Sequence, residues 1–382
     1  MSVRKRTWRT RKGEYREAWI VDYVDQQGDQ HIKHFARKKE ADEYQATVKV
    51  DVRKGLHVAP SKSPTVSEAA EIWHGRVQAN GMNGDGPAER STLRQYRQHI
   101  DLHIVPRIGQ VKVGELTTTA IEGFRDDLFA ALSRPLARKV FTSFKSILKA
   151  NKCGHLAADV SIGRDKRRRR LEAARDFPTP EQVKRLMGAL APDDLRRRAF
   201  LTTAAFTGLR SSELRGLRWK DIDFKASQLH VRQRADRFNK IGAPKSEKSV
   251  RTVPLDMITL DALRTWKLRS PHSKPDDYVF ATRTGHIVSQ DKMLDSLSSL
   301  MIDAKLVDKD GKPKYGLHAM RHFFASWCIN AKDSGGRELP PKRVQELLGH
   351  STITMTLDLY GHLFPDKGDR SELNDAVRQL LA

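Results

Sequence analysis

Two arginines (Arg210 and Arg321), two histidines from among His318, His322 and His350, one lysine in the segment 230–255 and Tyr360, all in the C-terminal half of the sequence, are of the types that could cut a phosphodiester without a metal. The attacked phosphate passes through a pentacovalent state with extra negative charge. Fixed guanidinium groups can bind two of its oxygens in their fork. A free phenol has a pKa near 10, so at pH 7 its anion is disfavoured by about 4 kcal/mol. A base or hydrogen-bond acceptor must therefore take the phenol proton as the new bond forms. The departing 5′ oxygen needs a proton in turn, which a lysine held at the phosphate can supply.

The spacing of these residues leaves alternatives open. FTGLRSSELRGL (206–217) predicts a helix break at Gly208 and a restart capped by Ser211 or Ser212. Arg210 in that break could face a ligand or pair with Glu213. In GLHAMRHFFASWC (316–328), Met320, Phe323, Phe324 and Trp327 fall on one helical face, and His318, Arg321 and His322 on the opposite one. His318 and His322 have the i, i+4 spacing of zinc helices, but the HExxH glutamate is missing and Arg321 lies between them, which disfavours a cation. In LLGHSTITMTLDLYGHLF (347–364), Ile353 and Leu357 predict the packed side of a helix. Tyr360 follows at i+7 from Ile353, a spacing that suits a buried aromatic as well as a nucleophile.

The chain has 382 residues, enough for two or three domains, and a net charge of +23 from 70 basic and 47 acidic residues. That balance points first to nucleic acid as partner and only secondarily to an anionic membrane surface. No apolar run approaches the roughly 18 residues of a spanning helix, and the start, MSVRKRTWRTRKGEY, has no apolar signal region. The two cysteines, Cys153 and Cys328, form neither a disulfide framework nor a zinc pattern. No GxxxxGK[ST] loop occurs, and no spaced carboxylate set of a metal nuclease stands out. A cytoplasmic, nucleoid-associated protein is expected.

Four segments must position the reactive groups. Residues 1–60 read as two strands joined at Gln27-Gly28-Asp29, with a third beginning at Trp8, followed by a helix stopped by Gly55. Residues 64–158 carry helical periodicity with basic stripes: Arg90, Arg94 and Arg97 on one helix, Arg138, Lys145 and Lys149 on another. These six are the expected DNA-backbone contacts. Residues 159–176 contain the charge run RDKRRRRLEAARD and read as a basic linker. Residues 177–382 are mostly helical, with HVRQRADRFNKIGAPKSEKSVRTVPL as a hairpin or short meander.

Four motifs in the last segment together resemble the tyrosine recombinases of the phage integrase family: TGLRSSEL its first-arginine motif, PKSEKSVRTVPL its lysine hairpin, HAMRHFFAS its His-x-x-Arg motif, and LLGHSTITMTLDLYGH its closing His and Tyr motif. The order along the chain also agrees. Residues 64–158 resemble the family's helical core-binding domain, and 1–60 are similar to its arm-type DNA-binding domain. KCGHLAADVSIGRDKRRRR departs from the family in lacking the Asn-Pro common at the exit of the middle domain.

The resemblance implies a multidomain, mainly α fold with small β-sheets: a β-sheet plus helix module, a SAM-like helical core-binding domain, and an α+β catalytic domain. It implies that Tyr360 attacks the phosphate to form a 3′-phosphotyrosine, that Arg210 and Arg321 hold the non-bridging oxygens, and that His318 moves protons or orients the phosphate. His350 then donates a hydrogen bond, and Lys245 is the general acid, with Lys248 as the alternative. Glu213 braces Arg210, and His362 is structural. No cofactor is implied. Double-stranded DNA at attachment sites, a homotetramer, a host DNA-bending protein and an excisionase are the implied partners, and no membrane. The competing readings are a DNA-relaxing topoisomerase of the same chemistry, which needs no module at 1–60, and a non-catalytic DNA-binding regulator, in which the active residues would be eroded.

Overall fold

The computed structural model describes residues 1–10, 13–25, 28–53, 63–84, 86–163, 177–244, 246–364 and 370–382. The chain divides into two compact units, Met1–Asp165 and Lys166–Ala382, and the division falls inside the segment expected to be a linker. The run Arg164–Asp176 and residues Gly55 and Lys245 lie outside the described residues.

The first unit contains two separate apolar cores. Strands β1 (Ser2–Arg9), β2 (Tyr15–Val24) and β3 (Gln30–Phe35) form an antiparallel sheet in sequence order, with Val3 opposite Val21 and Trp19 opposite Phe35. Helix α1 (Lys38–Arg53) covers that face, and Ala41 and Val48 join Val21 and Tyr23 in a small core. The expected third strand is present, but it runs Ser2–Arg9, so Trp8 lies near its end and does not begin it. The second core is helical: α2 (Val66–Asn80), α3 (Arg90–His99), a π-helical turn Ile100–Ile104 leading into α4 (Val105–Ile108), α5 (Thr118–Ala131) and α6 (Arg134–Ala150). Thr65 and Glu68 make the capping box that starts α2. Phe124, Phe141 and Phe144 pack ring against ring at the centre.

The second unit opens with α7 (Pro180–Gly188), capped by Thr179 with Gln182, and α8 (Leu195–Phe206). Helix α9 (Ser211–Gly216) follows the predicted break. Strands β4 (Ile222–Asp223), β5 (Gln228–Val231) and β8 (Arg251–Pro254) form one small antiparallel sheet; between β5 and β8 the chain makes a separate hairpin of β6 (Arg234–Ala235) and β7 (Ile241–Gly242). The expected hairpin is thus a short hairpin set between two paired strands. Helices α10 (Met257–Arg269), α11 (Gln290–Asp303), α12 (Leu317–Ile329), α13 (Pro341–Leu348), α14 (Ile353–Tyr360) and α15 (Arg370–Leu381) complete the unit. One large core joins α8, α10 and α11 to the β4-β5-β8 sheet. A second gathers Phe324, Ala325, Cys328 and Ile329 of α12 with Val344, Leu347 and Leu348 of α13 and Tyr360 of α14.

Two glycines shape the turns beside that second core. Gly208 has φ +64°, and a Cβ there would lie 2.4 Å from the Phe324 ring. Gly349 ends α13 in the left-handed region at φ +63°. Each turn exposes backbone carbonyls, and these are what the arginines bind.

Candidate active site

Arg210 occupies the N-cap position of α9, not Ser211 or Ser212. Its side chain cannot accept from the first turn, so Glu213 reaches back: one carboxylate oxygen accepts from the Arg210 backbone N–H at 2.9 Å, the other from Nη1 at 2.7 Å. Arg210 Nη2 donates to Gly349 O at 2.9 Å. The brace expected of Glu213 is present, and it holds a second arginine as well. Arg251, on β8, donates from Nη2 to Glu213 at 2.9 Å and from Nε to Leu347 O at 2.7 Å.

Arg321 of α12 is 2% exposed and bridges both turns, donating to Gly208 O and to Leu348 O, each at 2.6 Å. Three guanidinium groups therefore converge on one buried carboxylate. Burial would raise the Glu213 pKa, but the charge and hydrogen bond of Arg251, then Arg210, outweigh this and hold it below the usual carboxylate range. Burial and the repulsion of Arg210 and Arg251 push Arg321 down to about 9.

His350 is buried just after Gly349. Its Nδ1 shares a 2.9 Å hydrogen bond with Thr356 Oγ1, and its carbonyl accepts from Gln345 Nε2. Burial, then the charges of Arg321, Arg210 and Arg251, push its pKa down to about 3. The imidazole is neutral at pH 7, so it can donate to an anion as a neutral N–H without adding charge. His318 is exposed at the first turn of α12.

Tyr360 is 1% exposed and packed in the core of α12 and α13. Its hydroxyl shares a 2.6 Å hydrogen bond with His322 Nδ1. Two sequence expectations change here. The packed side of α14 is formed by Thr356 and Tyr360, while Ile353 and Leu357 are exposed, because hydrogen bonds to His350 and His322 draw the polar pair inward. The His-Arg face of α12 is not an open one, since Arg321 and His322 are as buried as the aromatics. His362 is exposed.

The structure thus brings Arg210, Arg321 and His350 together. Lys245 lies outside the described residues, and Lys248 donates to Ser351 O at 3.0 Å, next to His350. Sequence reasoning missed Arg251 and gave His322 no role. It also missed Arg215, 2% exposed, whose guanidinium donates to Val288 O at 2.7 Å, to Asp236 O at 3.1 Å and to Asn239 Oδ1, pinning the β6–β7 hairpin to α9. The signal available for Arg251 was its place in the quoted lysine motif. Among the described residues no cluster of three or more His, Cys, Asp or Glu could hold a metal, and no helix is long and apolar enough to cross a membrane.

The expected DNA-contact residues of the first unit divide. Arg97 is held by Glu71 at 2.7 Å and by Asp101, and Lys145 donates to Ala158 O and Val160 O at 3.3 and 3.1 Å. Arg90, Arg94 and Lys149 are exposed, and Arg138 is half-buried. Lys145 and Lys149 line, with Lys152 and His155, a cleft of about 830 Å³.

A helical unit with small sheets, whose two bend arginines converge with a histidine beside a tyrosine-bearing helix, is the architecture of a tyrosine recombinase catalytic domain. The model of the phage integrase family matches residues 177–367, half of the chain, and the chain belongs to that family. It is 30% identical over 208 residues to the tyrosine recombinase XerC-like protein of Caldanaerobacter subterraneus subsp. tengcongensis, covering 48% of this chain and 50% of that protein. The chain thus spans about half the length of that curated relative. It is 27% identical over 304 residues to the ICEBs1 integrase of Bacillus subtilis (strain 168), covering 74% of this chain and 76% of that one. The solved lambda integrase tetramer bound to a Holliday junction shares the fold over 95% of this chain and 96% of its own, with a TM-score of 0.55 and 16% identity.

Proposed function

We propose that the chain is a site-specific DNA recombinase that integrates or excises a mobile element by cutting and rejoining DNA through a 3′-phosphotyrosine at Tyr360. The observation that carries this reading is the clustering of buried Arg321 with partly buried Arg210 and Arg251 about the one buried carboxylate of Glu213, a surplus of positive charge at the turns flanking His350. Such a cluster suits the extra charge of a pentacovalent phosphate. Arg210 and Arg321 hold the non-bridging oxygens, with Glu213 and Arg251 fixing Arg210. Neutral His350 donates to a phosphate oxygen, and His318 orients the phosphate. Lys245 protonates the leaving 5′ oxygen, and Lys248 is the alternative donor. Because the Tyr360 hydroxyl is sheltered from solvent beside His322, attack requires the phosphate and the Tyr360–His322 pair to be brought together when DNA binds.

The module of β1–β3 with α1 takes the arm-type sites, and the helical core of α2–α6 grips the core site through Arg90, Arg94, Arg138, Lys145 and Lys149. Arg97 acts in that helical core as a clamp on Glu71 and Asp101. Strand exchange takes a homotetramer, as in the lambda integrase complex with a Holliday junction, with a DNA-bending protein and an excisionase setting direction. The test is a covalent-adduct assay in EDTA on a nicked duplex from the DNA flanking the element. Wild type should give a slow-migrating protein–DNA band on a denaturing gel, and Tyr360→Phe should bind the same DNA and give none. Cleavage only with Mg²⁺ and without an adduct would overturn the proposal.

A further inference from the structure

The reaction needs an acceptor for the Tyr360 proton, and the two other site histidines are poorly placed for it. His350 is bonded to Thr356 and held neutral among three arginines, where gaining charge is disfavoured. His318 is exposed at the helix start. His322 instead has Nδ1 2.6 Å from the Tyr360 hydroxyl in a buried setting. Its ring is fixed on both sides. Phe177 stacks on it at 5.0 Å and 18°, and His318 meets it edge-on at 4.8 Å and 87°. The imidazole is therefore oriented before any substrate arrives, as a general base must be.

We infer that His322 is a catalytic residue, the base that takes the Tyr360 proton. This rests on the reading of Tyr360 as nucleophile. In cleavage the bond from Tyr360 Oη to phosphorus forms and the bond from phosphorus to O5′ breaks. The phenol proton passes to His322 Nδ1, and the leaving O5′ takes a proton from the lysine. In rejoining, the attacking 5′ hydroxyl gives its proton back to the lysine, Tyr360 leaves the phosphorus, and His322 returns the proton to the phenol. Atoms and charges balance in both directions, and no other reactant is needed. Arg321 lies near enough to feel the Tyr360 charge, which places the phenol beside the proposed phosphate clamp.

The test uses the full chain, single-turnover cleavage of the nicked duplex, and Tyr360 replaced by a fluorinated tyrosine whose phenol ionises more readily. His322→Phe should bind DNA as wild type does and cleave about 10²-fold or more slowly. His322→Gln, whose amide oxygen accepts a hydrogen bond but takes no proton, should be as slow. With the fluorinated phenol the deficit of either variant should shrink at least tenfold, since less help is needed to remove the proton. A purely structural histidine would give the same deficit with both phenols, and that result would overturn the inference. So would wild-type cleavage by either variant. If His322→Phe does not fold, as read by its melting curve, the Gln variant carries the comparison. Tyr360→Phe runs in parallel: an adduct from it would mean that the nucleophile itself is misassigned, a failure distinct from that of the base.

Discussion

Replacing Glu213 by Gln tests the charge cluster most directly. The Glu213 carboxylate accepts from Arg210 at 2.7 and 2.9 Å and from Arg251 at 2.9 Å, with its side chain 2% exposed. Gln keeps the shape and one acceptor oxygen, but its amide N–H₂ points donors at donors. Arg210, Arg251 and Arg321 then face one another without a counter-ion. Removing one partner of a buried ion pair costs about 3–5 kcal/mol, and the retained oxygen places the expected loss near the lower bound, at about 3 kcal/mol. For a unit of some 200 residues this corresponds to a fall of roughly 6–12 °C in melting temperature. Because the folded-state pKa of Glu213 is depressed, its contribution is fully present above the ordinary carboxylate pKa. That contribution is lost as pH falls through the lower folded-state value. Calorimetry of the full chain should therefore show a wild-type advantage that is constant above about pH 5 and shrinks below about pH 4. Cleavage should also slow in Glu213→Gln, because Arg210 loses its brace. A melting difference under about 2 °C at pH 7, or one that does not narrow in acid, would refute the account of the cluster.

Arg321→Ala removes the bridge between Gly208 O and Leu348 O and one of the two arginines proposed to clamp the phosphate. Adduct formation should fall by roughly 10²-fold or more with DNA affinity changed much less, and a wild-type rate in single turnover would count against the clamp. Gly208→Ala forces a Cβ to within 2.4 Å of Phe324 at a positive φ. It should destabilise the second unit by about 1–3 kcal/mol, read by denaturant titration. Deleting residues 1–60 removes a module with its own small core. The remaining transitions in calorimetry should stay near their wild-type temperatures while binding to sites outside the core duplex weakens; loss of the remaining fold would make the segment structural.

The elements were largely legible because they rest on local signals. The helix break at Gly208 and the joint between two strands around Gly28 are short-range chemistry, and each stands where the sequence put it. The face of α14 was misread because hydrophobic spacing sees Ile353 and Leu357 but not hydrogen bonds. Thr356 is drawn in by His350 six residues away, and Tyr360 by His322 thirty-eight residues away. The same limit hid Arg251. Its place in the lysine motif marks the segment but not its partners, and only the return of β8 beside α9 and α13 brings it to Glu213 and Leu347 O. The α9 cap was misassigned for a related reason. Serine is the better cap by propensity, yet the carboxylate of Glu213 satisfies the Arg210 N–H and the Arg210 guanidinium at once, which a serine hydroxyl cannot do.

These misreadings share a cause, and it bears on what the site is for. A cluster of three arginines with one glutamate is a poor choice for stability alone, since well-packed apolar residues often do as well as buried ions. Here the uncompensated charge is met by backbone carbonyls: Gly208 and Leu348 for Arg321, Gly349 for Arg210, Leu347 and Ser249 for Arg251. Carbonyl dipoles satisfy the N–H donors but do not cancel their charge. The field therefore remains for an anion, and the guanidiniums that would receive it are already oriented. The two positive-φ glycines, Gly208 and Gly349, sit in the turns whose carbonyls accept from Arg321 and Arg210. Holding His350 neutral belongs to it too. A charged imidazole would add to the repulsion among the arginines, whereas a neutral N–H donates without it. On the proposed reading the site gives up local stability for a preorganised positive field, and Glu213 is the one carboxylate that holds Arg210 and Arg251 in it.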